Sequence, residues 1–314
     1  MSAGVKAAID IGSNSIKLRV GRLEEGQVSV LLDTTEVVKL GRGFNEARCP
    51  RILDETMENA VRAVTEMVAR AREIGADIHL VGTMALRQAV NAGDFLRRIR
   101  EAAGLEVRIL SGEEEALYSW MGAVAGTEDC SPGGLVMFDT GGGSTEFVFG
   151  RGEKIDKIQS VPVGAVSLSE RFFSDGIVRR TALDAAMEYV AALLRENGVA
   201  RCDPAAAPSV VGLGGGVVAM ASVKSGKEPF IPVNLHGAVL TQKDIVRQMR
   251  LYASLTLEER RNVIGLPPSR ADVILGSACI VLCILRALDV SSCTISINGL
   301  RHGVLMEMFA ESPA

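Results

Sequence analysis

Two short loops, each following an apolar segment, carry residue types that bind phosphate. The first reads DIGSNS at residues 10–15, and the second reads DTGGGST at residues 139–145. Glycine has no Cβ, so backbone N–H groups in such loops can approach phosphate oxygens closely. Either loop alone is also compatible with a plain hairpin turn, but two copies in register favour binding. The candidate phosphate contacts in these loops are Ser13, Asn14, Ser15, Gly142, Gly143, Ser144 and Thr145.

Carboxylates accompany both loops. Asp10, Asp139 and Glu146 offer the oxygen ligands that a hard cation prefers when it bridges phosphate groups. The three histidines and six cysteines show no spacing that would hold zinc. The sequence therefore predicts a requirement for Mg²⁺, with Mn²⁺ as an alternative.

A third glycine cluster, GLGGG at residues 212–216, follows an apolar strand and precedes a helical pattern. Phosphate could bind at that helix N-terminus, which makes Gly214 and Gly215 candidate contacts. The cluster alone is a weak signal, because the GxGxxG spacing and downstream acid of a dinucleotide-binding fold are not there.

Three consecutive carboxylates, Glu113, Glu114 and Glu115, lie where a predicted strand meets a predicted helix. Capping of the first helical turn would explain two of them. Repulsion among three would raise the pKa of one and suit it to accept a proton from water. Arg87 follows another strand end, where ligand contacts are common, although an arginine on a helix is more often simply solvated.

The elements that must position these residues come in two similar sets. The first half has the order βββαβαβα, with strands at 6–11, 15–22, 28–40, 78–82 and 107–110, and helices at 54–74, 87–103 and from 113. After a polar loop at 127–134 the pattern restarts with strands at 135–138, 145–149 and 155–161. This internal repeat predicts two similar halves whose loops hold one ligand, with a hinge in residues 122–134.

Composition limits the class of protein. A chain of 314 residues suits about two domains. Its net charge of −4 argues against nucleic acid as the main partner. The longest apolar run, 273–285, is shorter than the roughly 18 residues that span a bilayer, so we expect a buried helix, no membrane partner and a cytoplasmic protein. The cysteines are expected to be reduced, with Cys279 and Cys283 on one core face.

Four motifs occur together in one order: AIDIGSNS at 8–15, LRQA at 86–89, SGEEEA at 111–116 and DTGGGSTE at 139–146. Weaker similarity continues at 163–166, 270–274 and 299–303. In these motifs the chain resembles the exopolyphosphatase/guanosine pentaphosphate phosphohydrolase (Ppx/GppA) family in its short, two-domain form.

The resemblance implies two actin-like ATPase (ribonuclease H-like) α/β domains with an interdomain cleft. The first would comprise residues 1–124, with a C-terminal helix at about 301–314 packing back on it, and the second residues 125–300. It also implies Mg²⁺, a homodimer, and release of terminal phosphate from inorganic polyphosphate or, second, from guanosine pentaphosphate. Glu115 would be the general base with Glu114 as neighbour or helper, Asp139 and Glu146 would be metal-associated, and Arg87 would contact phosphate.

Two positions depart from the family pattern. Gly216 stands where the third glycine motif usually has Thr, and His302 stands where an acid usually follows Leu-Arg. Two other functions remain open: a phosphotransferase of the same superfold, and an actin-like nucleotide-binding regulator or assembly protein with weak hydrolysis. The acidic triplet and Arg87 match the hydrolases better than either.

Overall fold

A computed structural model of the chain describes residues 4–42, 44, 49–124, 133–152, 154–173, 178–200, 207–227 and 231–311. The chain divides into two compact units. Unit 1 comprises Met1–Gly122 with Asn298–Ala314, and unit 2 comprises Ala123–Ile297. Most of the predicted hinge, residues 122–134, lies outside the described residues.

The first part of the chain forms a five-stranded sheet with helices. Its elements are β1 (Lys6–Ile11), β2 (Ser15–Glu24), β3 (Gln27–Val37), α1 (Asp54–Glu73), β4 (Asp77–Gly82), α2 (Met84–Gln88), α3 (Ala92–Ala103), β5 (Val107–Ile109) and α4 (Gly112–Val124). The strand order is β3-β2-β1-β4-β5. β1 runs antiparallel to β2 and parallel to β4, so the loop after β1 and the residues after β4 lie at the same sheet edge.

The second part of the chain forms a six-stranded sheet and its helices. These are β6 (Leu135–Thr140), β7 (Thr145–Arg151), β8 (Lys154–Val161), α5 (Ala165–Phe172), α6 (Arg180–Glu196), β9 (Ser209–Leu213), α7 (Gly215–Ser225), β10 (Val239–Thr241), α8 (Gln242–Ser254), α9 (Leu257–Arg260), α10 (Ile274–Ala287) and β11 (Ser292–Ile295). The strand order is β10-β11-β9-β6-β7-β8. A last helix, α11 (Leu300–Ala310), follows in the part of the chain that belongs to unit 1.

The two sheets repeat one topology. In the second sheet β8-β7-β6-β9-β11 has the order of β3-β2-β1-β4-β5, and β10 is added at the edge. In both copies the first strand, β1 or β6, pairs antiparallel with the second strand and parallel with the strand on its other side, β4 or β9. The predicted α/β class with two ribonuclease H-like sheets is confirmed, and so is the internal repeat.

The predicted helix at 87–103 is wrong in one respect, because the structure breaks it into α2 and α3. Asn91 lies at the break, where its side chain both donates to the carbonyl of Ile52 and accepts from the N–H of Ile52, each at 2.9 Å. The N–H of Val90 donates to the Pro50 carbonyl at 2.9 Å. These contacts to a distant segment replace hydrogen bonds within the helix. Short amide side chains often compete with helical hydrogen bonds in this way.

The apolar run at 273–285 is a buried helix, as predicted, and corresponds to α10. Cys279 and Cys283 lie on its buried surface as free thiols, and burial raises the pKa of each. Among the residues that the structure describes, no helix is long and apolar enough to cross a membrane.

The last helix, α11, packs on unit 1. It shares a small core with residues from β1, β4 and α4; this core contains Ala8, Val81, Leu110, Tyr118, Leu300, Val304, Leu305 and Met308. Gly303 is a point of close backbone contact between α11 and α4, because a Cβ built there would overlap the Tyr118 carbonyl oxygen. The backbone contact therefore depends on glycine.

We expect Gly303→Ala to lower the free energy of unfolding by about 1–3 kcal/mol or more, because the obstacle is backbone and cannot rotate away. Gly93→Ala is the matched control, since Gly93 lies in α3 and a Cβ there meets nothing within 4 Å. That change should be neutral or raise stability by up to about 1 kcal/mol. Urea unfolding of both variants measures the difference, and equal effects would contradict this account of α11 docking.

Candidate active site

The loop after β1 is held by hydrogen bonds that use its carbonyl groups. The N–H of Gly12 donates to the Ser15 carbonyl at 3.1 Å. The Ser13 carbonyl accepts from Gly41 at 2.9 Å, and the Asn14 carbonyl accepts from Val38 and Lys39 at 3.1 and 2.9 Å. These last two bonds also end β3 at Val37, short of the predicted residue 40. In a trans peptide the N–H points away from the carbonyl, so the N–H groups of Asn14 and Ser15, which follow the Ser13 and Asn14 carbonyls, face the opposite side of the loop.

The loop after β6 repeats this arrangement. The N–H of Gly141 donates to the Ser144 carbonyl at 2.9 Å, as Gly12 does to Ser15. The first N–H groups of α5 donate to the Gly141 and Gly142 carbonyls at 2.8 to 3.0 Å. Those bonds turn the N–H groups of Gly142 and Gly143 away from α5, where they can serve an anion.

One predicted contact in this loop has another task. The Thr145 side chain is fully buried and its hydroxyl donates to the Val163 carbonyl at 2.6 Å. It therefore braces the loop and is not free to donate to phosphate. Ser144 is also buried, but its hydroxyl donates to no group in the described part of the chain.

The aspartates of the two loops have neighbours that differ in charge: Asp10 faces a cation and Asp139 faces a carboxylate. Asp10 lies across from Lys17 in the β1–β2 register, with their charged atoms 3.5 Å apart. Asp139 lies across from Glu146 in the β6–β7 register. Like charges directly opposite on a sheet repel, so a cation would stabilise the second pair. Unit 2, not unit 1, thus has the charge pattern of a cation site.

The three predicted metal ligands belong to two units, Asp10 to unit 1 and Asp139 and Glu146 to unit 2. Across the described ranges no three His, Cys, Asp or Glu side chains are grouped to hold a metal ion. A Mg²⁺ ion commonly needs only one or two carboxylates and takes its other ligands from water and phosphate oxygens. Asp139 and Glu146 fit that requirement. Asp10 is in unit 1, and its buried Oδ1 atom has no hydrogen-bond partner.

The third glycine cluster begins α7 next to the β6 loop. Gly214 has φ +104°, which favours glycine, and a Cβ there would strike the Thr140 backbone. The guanidinium of Arg270 lies against Gly215, and burial lowers the pKa of Arg270 while Asp272 acts to raise it. A cation thus adjoins the N-terminus of α7, the arrangement that binds anions. In the sequence, Arg270 stood out only weakly, as part of a similar segment.

The structure supplies a physical reason for Gly216. A Cβ at this position would overlap the Ser277 hydroxyl of α10, which donates to the Val273 carbonyl at 3.2 Å. The threonine usual in the family does not fit here unless Ser277 moves.

The three glutamates at the start of α4 have different contacts and roles. Ser111 and Glu114 form a capping box: the Ser111 N–H donates to Glu114 at 2.8 Å, and the Glu114 N–H donates to the Ser111 hydroxyl at 3.1 Å. The bond from the Ser111 backbone, with Arg108 at 2.7 Å, holds the pKa of Glu114 below its usual value. Glu114 is therefore not the member of the triplet whose pKa is raised; it acts as a helix cap.

Glu115 faces Arg87. The Arg87 Nη1 atom donates to Glu115 Oε2 at 3.0 Å and to the Leu110 carbonyl at 2.6 Å. Both side chains are partly buried, with 24% of Arg87 and 15% of Glu115 exposed. Nε and Nη2 of Arg87 donate to no group among the described residues, so this side chain can hold phosphate while it stays beside Glu115.

Two arginines of unit 1, Arg19 on β2 and Arg301 on α11, both bind the carboxylate of Asp33. Arg19 donates to Asp33 at 2.8 and 2.6 Å, and Arg301 donates to its other oxygen at 2.5 Å. The Nη1 atom of Arg19 lies 3.0 Å from Asn298 Oδ1 and 3.4 Å from His302 Nδ1. His302 thus lies beside the guanidinium of Arg19, whose carboxylate partner, Asp33, is on β3. The network joins α11 to β2 and β3.

Asp33→Asn should destabilise unit 1, because it removes the carboxylate that pairs with the buried charge of Arg19. Burial acts to raise the pKa of Asp33, but Arg301 and Arg19 outweigh it and hold the pKa below the ordinary 3.8. The stabilisation is therefore present above that value and lost as pH falls below it. Breaking a buried pair costs about 3–5 kcal/mol, and we expect the lower end because Asp33 is 34% exposed.

The control for this prediction is Asp77→Asn. Asp77 pairs with Lys6 at 2.9 Å but is 61% exposed, so its loss should cost less than about 1 kcal/mol. Denaturant unfolding at pH 7 compares the two variants, and similar losses would contradict the assignment.

A family model, described as the Ppx/GppA phosphatase family, matches residues 19–312. The chain belongs to the Ppx/GppA phosphatase family. The resemblance seen in the motifs is thereby confirmed.

Individual Ppx/GppA relatives agree. A protein of Photobacterium profundum named guanosine-5'-triphosphate,3'-diphosphate pyrophosphatase is 30% identical over 308 residues, which is 97% of this chain and 59% of that relative. This chain therefore spans less than two thirds of that protein's length. The solved PPX-GPPA enzyme of Aquifex aeolicus is 30% identical with a TM-score of 0.80, covering 97% of this chain and 99% of that one. An exopolyphosphatase structure from Cytophaga hutchinsonii ATCC 33406, at 23% identity and a TM-score of 0.86 over 98% and 99% of the chains, shows the shared fold.

Proposed function

We propose that this chain hydrolyses the terminal phosphoanhydride bond of inorganic polyphosphate and releases orthophosphate. Guanosine pentaphosphate is proposed as the second substrate, converted to the tetraphosphate. The observation that carries the proposal is the Arg87–Glu115 pair, which puts a partly buried carboxylate 3.0 Å from an arginine with unused donors. A phosphate bound by Arg87 would have Glu115 close by as a base for the attacking water.

The glycine loops supply the remaining phosphate donors in this proposal. Gly142, Gly143 and Ser144 offer donors after β6, and Arg270 adds charge beside Gly214 and Gly215 at the start of α7. Ser13, Asn14 and Ser15 offer the same after β1. Donors fixed by the fold before substrate arrives need no reorganisation when charge develops on the leaving oxygen.

Asp139 and Glu146 would hold Mg²⁺ or Mn²⁺, and Asp10 would accept hydrogen bonds from the ion's waters. When bound, the ion neutralises charge on adjacent phosphate oxygens. Release of orthophosphate is therefore expected to stop in excess EDTA.

Polyphosphate is placed first because Gly216 stands where the third glycine motif of the family usually has Thr, which weakens the case for a contact that recognises a base. The name of the Photobacterium relative supports the guanosine substrate. A homodimer and a cytoplasmic location stay predictions of the sequence.

The test is phosphate release from long polyphosphate, guanosine pentaphosphate and ATP, measured in parallel with Mg²⁺ and with EDTA. We expect the fastest release from polyphosphate and the slowest from ATP. Faster release from guanosine pentaphosphate at equal phosphate concentration would reverse the order. Transfer to an added acceptor without release would favour a phosphotransferase, and binding without turnover would favour a regulator.

A further inference from the structure

One face of α8 carries three basic residues, Lys243, Arg247 and Arg250, which we call the α8 stripe. Their spacing of four and three residues puts them on one side of the helix, and all three are exposed. None of them forms an ion pair within the described part of the chain. Asp244, the single acid of α8, pairs instead with Lys224 at 2.7 Å and caps the helix through Thr241.

The stripe borders a groove of about 430 Å³ that Gln242 and Val246 also line. Like charges at this helical spacing repel and destabilise the helix. A bound anion would remove that repulsion, and the groove has a size that accommodates ligands. A positive stripe of this kind is also a local exception in a chain whose net charge is −4.

The contacts of α8 with α7 show where the stripe lies relative to the third glycine cluster of unit 2. Lys224, near the end of α7, contacts Asp244 at the start of α8, and the Met220 carbonyl accepts from Gln248 at 2.9 Å. Thus α8 runs antiparallel to α7. Since α7 begins at Gly215, the stripe extends over about 10 Å from the far end of α7 back toward the end of the unit that carries the third glycine cluster.

We propose that the α8 stripe binds an inorganic polyphosphate chain through phosphate units remote from the one that is cleaved. This inference rests on the proposed function and specifies its substrate as a long chain. Charge complementarity favours a flexible polyanion, which can follow a straight row of cations. Single-stranded nucleic acid is less suited, because its binding relies on stacking aromatics and the one aromatic of α8, Tyr252, is fully buried.

The experiment compares two triple variants in the full chain. The stripe variant carries Lys243→Gln, Arg247→Gln and Arg250→Gln. The control variant removes three exposed, ion-paired cations of the same unit: Lys154→Gln, Arg180→Gln and Arg261→Gln. Calorimetry would measure binding of polyphosphate of about 100 units and of tripolyphosphate at several salt concentrations, with thermal unfolding as the check on folding.

We expect the stripe variant to bind the long chain at least about tenfold more weakly. The slope of log Kd against the logarithm of the salt concentration should be smaller by about two. Tripolyphosphate binding and turnover should stay unchanged, and the control variant should behave like the wild type. Equal weakening for both chain lengths, or equal weakening in the control, would overturn the proposal. Stronger competition by single-stranded DNA of equal charge would assign the stripe to nucleic acid and also overturn it.

The two proposals fail separately in this design. If the wild type releases no phosphate from polyphosphate of either length, the proposed hydrolysis is wrong. The length-dependent difference in binding would still decide whether the stripe holds a polyphosphate chain.

Discussion

Glu115→Gln is expected to lower kcat by about 10²- to 10⁴-fold while substrate still binds. Gln keeps the size of the side chain and can still contact Arg87, but it cannot take a proton from water. Because Glu115 pairs with Arg87 at 3.0 Å, it would lie beside any phosphate that Arg87 binds, so we expect the loss in the chemical step. Single-turnover phosphate release, with binding measured separately, would detect it.

The neighbours of Glu115 supply matched controls, because each replacement removes the same charge from the same helical turn. Glu114→Gln weakens the capping box and should cost about 0.3–1 kcal/mol of stability with turnover nearly kept. The folded pKa of Glu114 is lowered, so this stability difference should shrink as pH falls below its ordinary 4.5. Glu113→Gln should change neither. More than about a tenth of wild-type turnover in Glu115→Gln would contradict its assignment as the base.

Asp139→Asn is expected to lower activity by at least about 10²-fold and to raise the half-activating Mg²⁺ concentration by at least about tenfold. The reason is the register of β6 and β7, which sets Asp139 opposite Glu146. Removing one carboxylate weakens the attraction for a cation that the pair would share. Binding has its own readout, because Mg²⁺ should raise the Tm of the wild type but not of this variant.

The control for this prediction is Asp156→Asn on β8, the strand next to β7. Asp156 is 47% exposed and pairs with Lys154, so its replacement tests loss of charge from the same sheet away from the loop. An unchanged Mg²⁺ requirement and an unchanged Mg²⁺-dependent Tm in Asp139→Asn would show that the cation is held elsewhere.

The sequence could predict those parts of the molecule that depend on short segments. The glycine loops and the strands around them are local patterns, and their recurrence predicted the repeated sheet before any contact was known. The apolar run that became α10 was equally legible, because a continuous buried helix needs no polar face.

Features set by distant contacts could not be predicted in this way. The break between α2 and α3 depends on Asn91 meeting Ile52, and the task of Thr145 depends on the Val163 carbonyl. Arg19 and Arg301 have the charge of substrate ligands in the sequence, yet both bind Asp33. Residue type alone does not reveal which partner the fold brings near, and for charged groups that partner decides the function.

The most direct test of the central claim is hydrolysis of polyphosphate of one defined chain length in ¹⁸O-labelled water with Mg²⁺. Mass spectrometry of the released phosphate and gel analysis of the remaining chains would follow the reaction. Attack of water on the terminal phosphorus predicts orthophosphate that carries one ¹⁸O atom for each bond cleaved, with chains that shorten from the end. Unlabelled phosphate, mid-chain fragments or pyrophosphate as the main product would contradict the account.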